Sequence, residues 1–267
     1  LMEVCGTHTH QIARFGIKSL LPNGAKLQSG PGCPVCVTSA PALSCVIELC
    51  KKRNVTLAVY GDMLRVPARL PADTLLNARA AGADVRVVFS AADAVELAAR
   101  EPSREVVFFA VGFETTAAGT AAALLDAARL ELPNFSMLSV LKRVEPALRL
   151  LLQSADLRCD GLLLPGHVAS IVGTDGFRFL EELGIPGVVC GFEAGDILLS
   201  LTMLLTMIRN GEVGVQNEYT RAVKAHGNAA ALRLIDRAFA PCADIWRGLG
   251  VVDGGGFALR DEFSRFD

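Results

Sequence analysis

The chain has 267 residues, of which 51% are hydrophobic and 20% are charged, and its formal net charge is −2. This length and apolar content allow one large domain or two small ones, each with a sizeable core. The slightly acidic balance argues against a broad electrostatic surface for nucleic acid, so we expect no nucleic-acid partner.

The longest apolar run, Ile197–Ile208, is shorter than the roughly 20 residues that span a bilayer. It predicts a buried helix, and we expect no membrane partner. The eight cysteines lack the density of a disulfide scaffold, and no signal peptide opens the chain. We therefore expect a reducing, cytoplasmic location. The sequence runs from Leu1 to Asp267, and we expect both ends to be cuts within a longer sequence.

Short apolar runs alternate along the chain with stretches rich in Ala, Leu, Glu and Arg. Near-continuous apolar strands separated by helices are typical of parallel β-α-β units with helices on both faces. The sequence therefore predicts an α/β fold of two small parallel-sheet α/β domains that face each other across a cleft. The predicted strands are Lys26–Ser29, Thr56–Tyr60, Val85–Phe89, Val106–Val111, Phe135–Val140, Gly161–Leu164 and Gly187–Val189, and the predicted helices include Ala91–Arg100, Thr116–Leu130 and Pro146–Ala155.

A polar Pro-containing segment, Glu101–Ser103, is the predicted domain boundary. It gives a first α/β domain over residues 1–101, which carries the cysteine motifs, and a second over residues 102–239. Residues 240–267 are expected to begin a truncated C-terminal region. The turns Val111–Glu114 and Cys190–Glu193 both follow apolar strands, and such turns lie at the carboxyl edge of a parallel sheet, where α/β proteins bind ligands.

The segment Gly30–Cys36 holds a Cys-x-x-Cys pair, Cys33 and Cys36, in a turn rich in Gly and Pro. A helix is predicted to follow, with Ser39 as its cap and Pro41 in its first turn. The start of a helix offers positive potential and N–H groups that stabilise thiolates. Two thiolates at this spacing can chelate one soft metal ion, or they can close into a disulfide and reopen. A purely structural disulfide is the alternative.

A second candidate motif contains Cys5, His8 and His10, three soft or borderline metal ligands within six residues. If the backbone is extended, His8 and His10 share one face while Cys5 points to the other, although Gly6 can turn the chain. The alternative is a buried Cys5 followed by two histidines that are hydrogen-bonded at the start of a helix.

Two further candidates follow predicted strands. Glu114, in the turn Gly112–Thr116, is predicted to act as a proton acceptor or as a partner of a metal ligand. The alternative is that Thr115 or Thr116 caps the next helix. His167 is predicted to serve as a base, a ligand or a hydrogen-bond donor with a fixed tautomer.

The remaining cysteines have weaker signals. Cys50 shares a helical spacing with Leu43, Val46 and Ile47, which predicts a core position. Cys45 is predicted to be a core residue as well, and Cys190 to pack at the end of a strand. Loop-like surroundings without ligand partners are predicted for Cys159 and Cys242.

Other motifs are weak or missing. Asp62 and Arg65, which follow a predicted strand, pair with each other or face the cleft. The glycines at 254–256 lack the strand–helix context of a phosphate-binding loop, and there is no Walker A sequence. A Ser-centred nucleophile elbow is also missing. ATP use and hydrolase chemistry therefore have no support, and no cofactor-binding residues are predicted.

The motifs, and the order in which they occur along the chain, resemble those of the HypD family of hydrogenase maturation factors. The match covers the chain nearly end to end and is far more specific than a single Cys-x-x-Cys pair. The segments that carry it are Met2–His10, Gly30–Cys36, Gly61–Pro67, Gly112–Thr116, Pro165–Val168 and Trp246–Gly250.

The resemblance implies a scaffold on which the iron centre of [NiFe]-hydrogenases is assembled. A complex with a small HypC-type chaperone would hold iron carrying cyanide and carbonyl ligands, and a HypE-type partner would deliver the cyanide. In the family, two α/β domains surround a cleft. The residues of this chain that match the family's cleft residues are Cys5, Cys33 and Cys36, with His8 near them.

The family also has a third domain that binds a [4Fe–4S] cluster, whose cysteines lie beyond the Trp-Arg-Gly-Leu-Gly segment. Here 17 residues follow Gly250 and none is cysteine. The cluster ligands are expected to be missing, as is part of the family's N-terminus, so we expect a fragment or a truncated gene product.

Two hypotheses follow. In the first, Cys33, Cys36 and Cys5 bind iron, and His8, Glu114 and His167 orient groups and transfer protons around it. In the second, the chain is a thiol–disulfide oxidoreductase that uses only Cys33 and Cys36. Whether the chain is an enzyme stays open, because a maturation scaffold can also have thiol redox activity.

Overall fold

A computed structural model describes residues 1–155 and 157–267, and these divide into two compact units. The first unit contains Leu1–Cys33 and Val144–Ala230, and the second contains Pro34–Arg143 and Ala231–Asp267. Both units combine parallel sheets with helices, which confirms the predicted α/β class. Within the described residues, no helix combines the length and apolarity needed to cross a membrane.

The secondary-structure elements are numbered here in chain order. Strands β1 to β11 are Met2–Glu3, Gln28–Ser29, Val55–Val59, Val85–Val87, Glu105–Gly112, Phe135–Leu141, Leu162–Pro165, Pro186–Cys190, Gly214–Asn217, Phe239–Trp246 and Gly250–Leu259. Helices α1 to α11 are Gly6–Arg14, Pro34–Val37, Ala40–Leu49, Leu75–Ala80, Ala91–Arg100, Glu114–Arg129, Val144–Leu152, Gly166–Val172, Phe179–Glu182, Ala194–Asn210 and Ala229–Ala238.

The first unit is built on a five-stranded parallel sheet with the order β2-β1-β7-β8-β9. Its core forms where α10 packs on β8, and Ile197, Leu204 and Val188 are fully buried there. The buried helix predicted over 197–208 is therefore present. The outer face of α10 is exposed to solvent, however, since Leu199 is 53% exposed.

The second unit has a four-stranded parallel sheet with the order β4-β3-β5-β6. An antiparallel hairpin, β10–β11, lies beside β6, where the Ser139 hydroxyl donates to the Phe257 carbonyl at 2.6 Å. Leu57 and Phe109 on the central strands are fully buried, as a sheet covered on both faces requires.

Helix α3 begins and packs as its sequence predicts. The Ser39 hydroxyl accepts a hydrogen bond from the Ala42 N–H at 3.4 Å, and a proline occupies the first turn. Cys50 is buried in the core of the second unit, as predicted. The core prediction for Cys45 is wrong, because Leu43, Val46 and Cys50 form the inner face and leave Cys45 exposed.

The compact units do not coincide with the predicted ranges 1–101, 102–239 and 240–267. The chain after Glu101–Ser103 returns as β5 to the sheet that already holds β3, where Thr56 pairs with Val106. Conversely, β1 from the start of the chain pairs with β7, with Met2 opposite Leu162. Residues 240–267 form most of the hairpin of the second unit, so Cys242 lies in β10 and not in a loop.

Candidate functional site

The carboxyl ends of all five strands of the first unit carry polar or aromatic residues that meet at one edge. Because the strands are parallel, these ends share that edge, which is where α/β proteins place ligands. In strand order along the chain the residues are Cys5 after β1, Cys33 after β2, His167 after β7, Phe192 after β8, and Glu218 and Tyr219 after β9.

The turns that carry Cys5 and Cys33 lie against each other. The Gly6 N–H donates to the Gly32 carbonyl at 2.8 Å, and a Cβ on Gly6 would stand 3.4 Å from the Cβ of Cys33. A Cβ on Gly32 would stand 2.1 Å from the backbone carbonyl carbon of Val4, so only glycine fits there. The glycines of the Cys-x-x-Cys turn therefore allow its close approach to the Cys5 turn.

Cys5 lies immediately before α1 and is 8% exposed. Its backbone N–H donates to the buried Glu3 carboxylate at 3.0 Å. Burial raises the pKa of the Cys5 thiol, and the N–H groups of His8 and Thr7 partly oppose that increase. The neutral thiol is favoured, so a metal ion that binds Cys5 has to displace its proton.

His8 and His167 both stack on Phe192, with ring centroids 5.0 Å and 3.9 Å from the phenyl centroid, respectively. Burial lowers the pKa of both imidazoles, so the neutral forms are favoured. His8 is fully buried in α1, and its Nε2 lies 2.9 Å from the Gly191 carbonyl oxygen. His10 is exposed, because Gly6–Arg14 is helical and the shared face expected of an extended backbone does not exist.

Sequence reasoning missed Phe192, Glu218 and Tyr219. The Tyr219 ring contacts Phe192 edge-on at 5.8 Å, and the Glu218 carboxylate accepts a hydrogen bond from the Gly191 N–H at 3.1 Å. The turn after Cys190 was already a predicted strand end, and its aromatic residue was the available signal. Glu218 and Tyr219 follow a strand whose short, mostly polar sequence gives no strand pattern.

In the second unit, parts of three sequence motifs lie together at the carboxyl edge of the sheet. A pocket of about 280 Å³ brings the Cys-x-x-Cys helix α2 together with the Gly61–Pro67 segment and the Gly112–Thr116 turn. The lining residues are Pro34, Val35, Tyr60, Asp62, Phe89, Val111 and Thr116.

Glu114 is the first residue of α6 and is buried. The residue before the helix is Phe113, in an extended conformation, so neither Thr115 nor Thr116 caps the helix as the alternative predicted. A carboxylate in the first turn is stabilised by the positive potential of the helix N-terminus.

The Trp-Arg-Gly-Leu-Gly segment contacts the C-terminal end of helix α2. Thr38 forms a β-bridge with Trp246, and the Arg247 N–H donates to the Val37 carbonyl at 2.8 Å. The Arg247 guanidinium donates to the Pro67 carbonyl at 2.9 Å. This segment therefore ties the end of α2 to the Gly61–Pro67 segment.

The two units divide between Cys33 and Pro34, so the Cys-x-x-Cys motif belongs to both. Cys33 is half-buried and Cys36 is exposed. Within residues 1–155 and 157–267, no three or more His, Cys, Asp and Glu side chains are grouped so that they could hold a metal ion. The roles of Cys5, Cys33, Cys36, His8, Glu114 and His167 therefore stay predictions.

Fold and site together define a two-unit α/β protein with cysteine and histidine motifs at the carboxyl edges of parallel sheets. All 267 residues match the model of the HypD family, described as "Hydrogenase formation hypA family". The chain belongs to this family, and its membership supports a role in hydrogenase maturation.

Curated relatives are similar over the whole chain. The hydrogenase maturation factor HypD of Rhodobacter capsulatus is 42% identical, with 100% of this chain and 71% of the relative covered. The HypD proteins of Azotobacter vinelandii and Escherichia coli (strain K12) are 43% and 40% identical, each with 100% of this chain and 72% of the relative covered.

Proposed function

We propose that this chain is a scaffold on which the Fe(CN)₂CO centre of [NiFe]-hydrogenases is assembled. The observation that carries the proposal is the position of the family's motifs, which lie at the carboxyl edges of the two sheets. Cys33 belongs to the first unit and Cys36 to the second. The iron is cargo: it is bound while its ligands are added and is then passed on.

The thiolates of Cys33 and Cys36 hold the iron in this proposal, and Cys5 supplies a further thiol. Soft donors suit an iron ion that carries cyanide and carbonyl ligands. The close approach of the Gly6 and Gly32 backbones supports a shared role for Cys5 and Cys33. His8, which is buried and neutral, orients groups near the iron without adding positive charge.

Two further residues transfer protons. His167 is more accessible than His8, and burial lowers its pKa, so its imidazole is neutral near pH 7 and can accept a proton. Glu114 begins α6 and acts in the second unit. Thr116 of the same helix lines the pocket that also contains Pro34 and Val35 of the Cys-x-x-Cys helix.

The proposed partners are a HypC-type chaperone, which shares the iron, and a HypE-type protein, which delivers the cyanide. Both would act in the cytoplasm, where cysteines stay reduced. A transfer scaffold needs accessible ligands, and the exposure of Cys36 supports this requirement.

A thiol–disulfide oxidoreductase is the second candidate, and the exposed Cys36 beside the half-buried Cys33 favours it. One exposed thiol can attack a disulfide while the second resolves the mixed disulfide. This activity requires neither Cys5 nor His8.

X-ray absorption at the iron edge tests the scaffold. The chain is co-expressed with HypC- and HypE-type partners, purified anaerobically and compared with Cys33→Ser, Cys36→Ser and Cys45→Ser variants. We expect sulfur scattering from bound iron in the wild type, its reduction in the first two variants, and no change in Cys45→Ser, whose thiol is exposed on α3. Iron that keeps the same sulfur scattering without Cys33 and Cys36 contradicts the proposal.

A further inference from the structure

We propose that Glu218 is a positioning residue that fixes the tautomer of His8 by holding the backbone of Gly191, whose N–H it binds and whose carbonyl faces the imidazole. The inference rests on the proposed function for the use made of His8, but the arrangement itself depends only on the first unit. It extends the site to a carboxylate that lies 210 residues away from His8 in the sequence.

Two hydrogen bonds link the three residues in series. The Glu218 carboxylate accepts from the Gly191 N–H at 3.1 Å, and the Gly191 carbonyl lies 2.9 Å from Nε2 of His8. A carbonyl oxygen can only accept, so Nε2 must carry the hydrogen. The other ring nitrogen, Nδ1, then has its lone pair available in the neutral imidazole.

Nδ1 of His8 is buried, and no described residue hydrogen-bonds to it. A buried polar atom without a partner is costly, and such atoms often have a catalytic or ligand-binding role. The stacked Phe192 ring shields the imidazole from water. The structure thus presents a dry imidazole nitrogen that can accept a proton or bind a ligand.

The Gly191 position is tightly packed. A Cβ there would stand 2.2 Å from the Asp196 carboxylate, and Asp196 is itself held by the Glu193 N–H at 3.2 Å and by Arg221. Only glycine therefore fits at position 191, and the Glu218 carboxylate is the hydrogen-bond partner of its N–H. Without this carboxylate the buried Gly191 N–H has no partner. Because glycine tolerates many backbone conformations, its φ and ψ can change to satisfy that N–H, which moves the Gly191 carbonyl away from His8.

The tautomer can be read directly by long-range proton–nitrogen NMR on protein labelled with ¹⁵N-histidine, with the His8 signals assigned by their loss in His8→Gln. We expect wild-type His8 to show one protonated Nε2 and one unprotonated Nδ1. Glu218→Gln should keep this pattern, because its amide oxygen still accepts from Gly191. Glu218→Leu should introduce the Nδ1–H tautomer and reduce hydrogenase maturation by about 10- to 100-fold, as for other residues that orient a ligand.

Glu212→Leu is the matched control. Glu212 lies just before β9, Glu218 lies just after it, and the Glu212 side chain is exposed. If Glu218→Leu fails to fold, Glu218→Asp, which withdraws the carboxylate by one methylene, takes its place. A protonated Nδ1 in the wild type overturns the inference, as does a Glu218→Leu or Glu218→Asp spectrum that matches the wild type. The spectra are recorded without iron, so the tautomer result can be interpreted even if the scaffold proposal is wrong.

Discussion

The indole of Trp246 stacks on the ring of Phe113, with the two ring centroids 5.8 Å apart. Phe113 precedes the helix that begins with Glu114, and Trp246 pairs with Thr38 beyond the Cys-x-x-Cys helix. Trp246 therefore contacts Phe113 through its buried side chain and Thr38 through its backbone, and its Nε1–H donates to the Gly255 carbonyl at 3.0 Å.

Trp246→Ala should lower the free energy of unfolding by about 3–5 kcal/mol, the usual cost of truncating a buried Trp. Urea unfolding followed by circular dichroism measures this loss. Val251→Ala, a change at a 65% exposed position of the same hairpin, should alter stability by less than about 0.5 kcal/mol. Equal losses in the two variants would mean that the Trp246 contacts do not stabilise the unit.

The Lys142 ammonium is fully buried and is paired with Asp244 of the hairpin. Asp244→Ala should cost about 3 kcal/mol or more, because it leaves a buried charge without its counterion. The double variant Lys142→Met/Asp244→Ala should recover most of that loss, since no buried charge remains. Chemical denaturation of the wild type and these two variants measures the loss and its recovery. A double variant as unstable as Asp244→Ala contradicts this account.

Stability should fall as the pH is lowered through about 6.5, the ordinary pKa of histidine. Burial lowers the pKa of His8 and His167 in the folded protein, so the unfolded chain binds more protons in this range. Unfolding midpoints should decrease between about pH 7.5 and about pH 5.5, roughly one unit either side of that value. The decrease should be less steep in His8→Asn/His167→Asn. An unchanged slope in the double variant would show that other groups control it.

Much of the fold could be predicted from the sequence, but the division into units could not. The apolar runs of β5 and β8 carry strong local signals, and their predicted limits lie within about two residues of the observed ones. The start of α3 was also predicted, from its cap Ser39. β1 has only two residues, too few for any pattern, and β10 and β11 contain Pro241 and a run of glycines. That β1 pairs with β7 depends on contacts between distant segments, which a linear reading cannot detect.

The site was predictable where chemistry and strand ends coincide. Cys33 and His167 follow predicted strands, and the types of Cys5, Cys33 and His167 already indicated metal or proton chemistry. Cys5 follows β1, a strand that the sequence did not predict. Glu218 and Phe192 contribute through contacts with His8 and Gly191, and no spacing in the sequence indicates those contacts.

Cys5→Ala should abolish maturation while leaving the free energy of unfolding within about 1–2 kcal/mol of the wild type. The physical reason is that the proposal uses Cys5 as a thiol at the iron. Cys50→Ala is the control, because Cys50 lies in the core of the second unit and should lower stability without abolishing maturation. A large loss of stability with retained maturation in Cys5→Ala would make Cys5 structural.

The 267-residue chain should bind no [4Fe–4S] cluster, because a cubane normally needs four protein thiolates. Cys5, Cys33 and Cys36 are assigned to the iron, and Cys50 is buried in the core. The other four are dispersed: Cys45 is exposed on α3, Cys159 precedes β7, Cys190 ends β8 and Cys242 lies in β10. Anaerobic reconstitution followed by iron and sulfide analysis tests this, and about four irons and four sulfides per chain would contradict it.

Infrared spectroscopy of the anaerobically purified chain, co-expressed with its HypC- and HypE-type partners, tests the scaffold most directly. Bound cyanide and carbonyl absorb where protein does not, so their bands report the ligands on the iron itself. We expect cyanide and carbonyl bands from the wild type and their loss in Cys33→Ser. A wild-type protein that contains iron but shows neither band, while Cys33 and Cys36 exchange disulfides, would contradict the scaffold and favour the oxidoreductase.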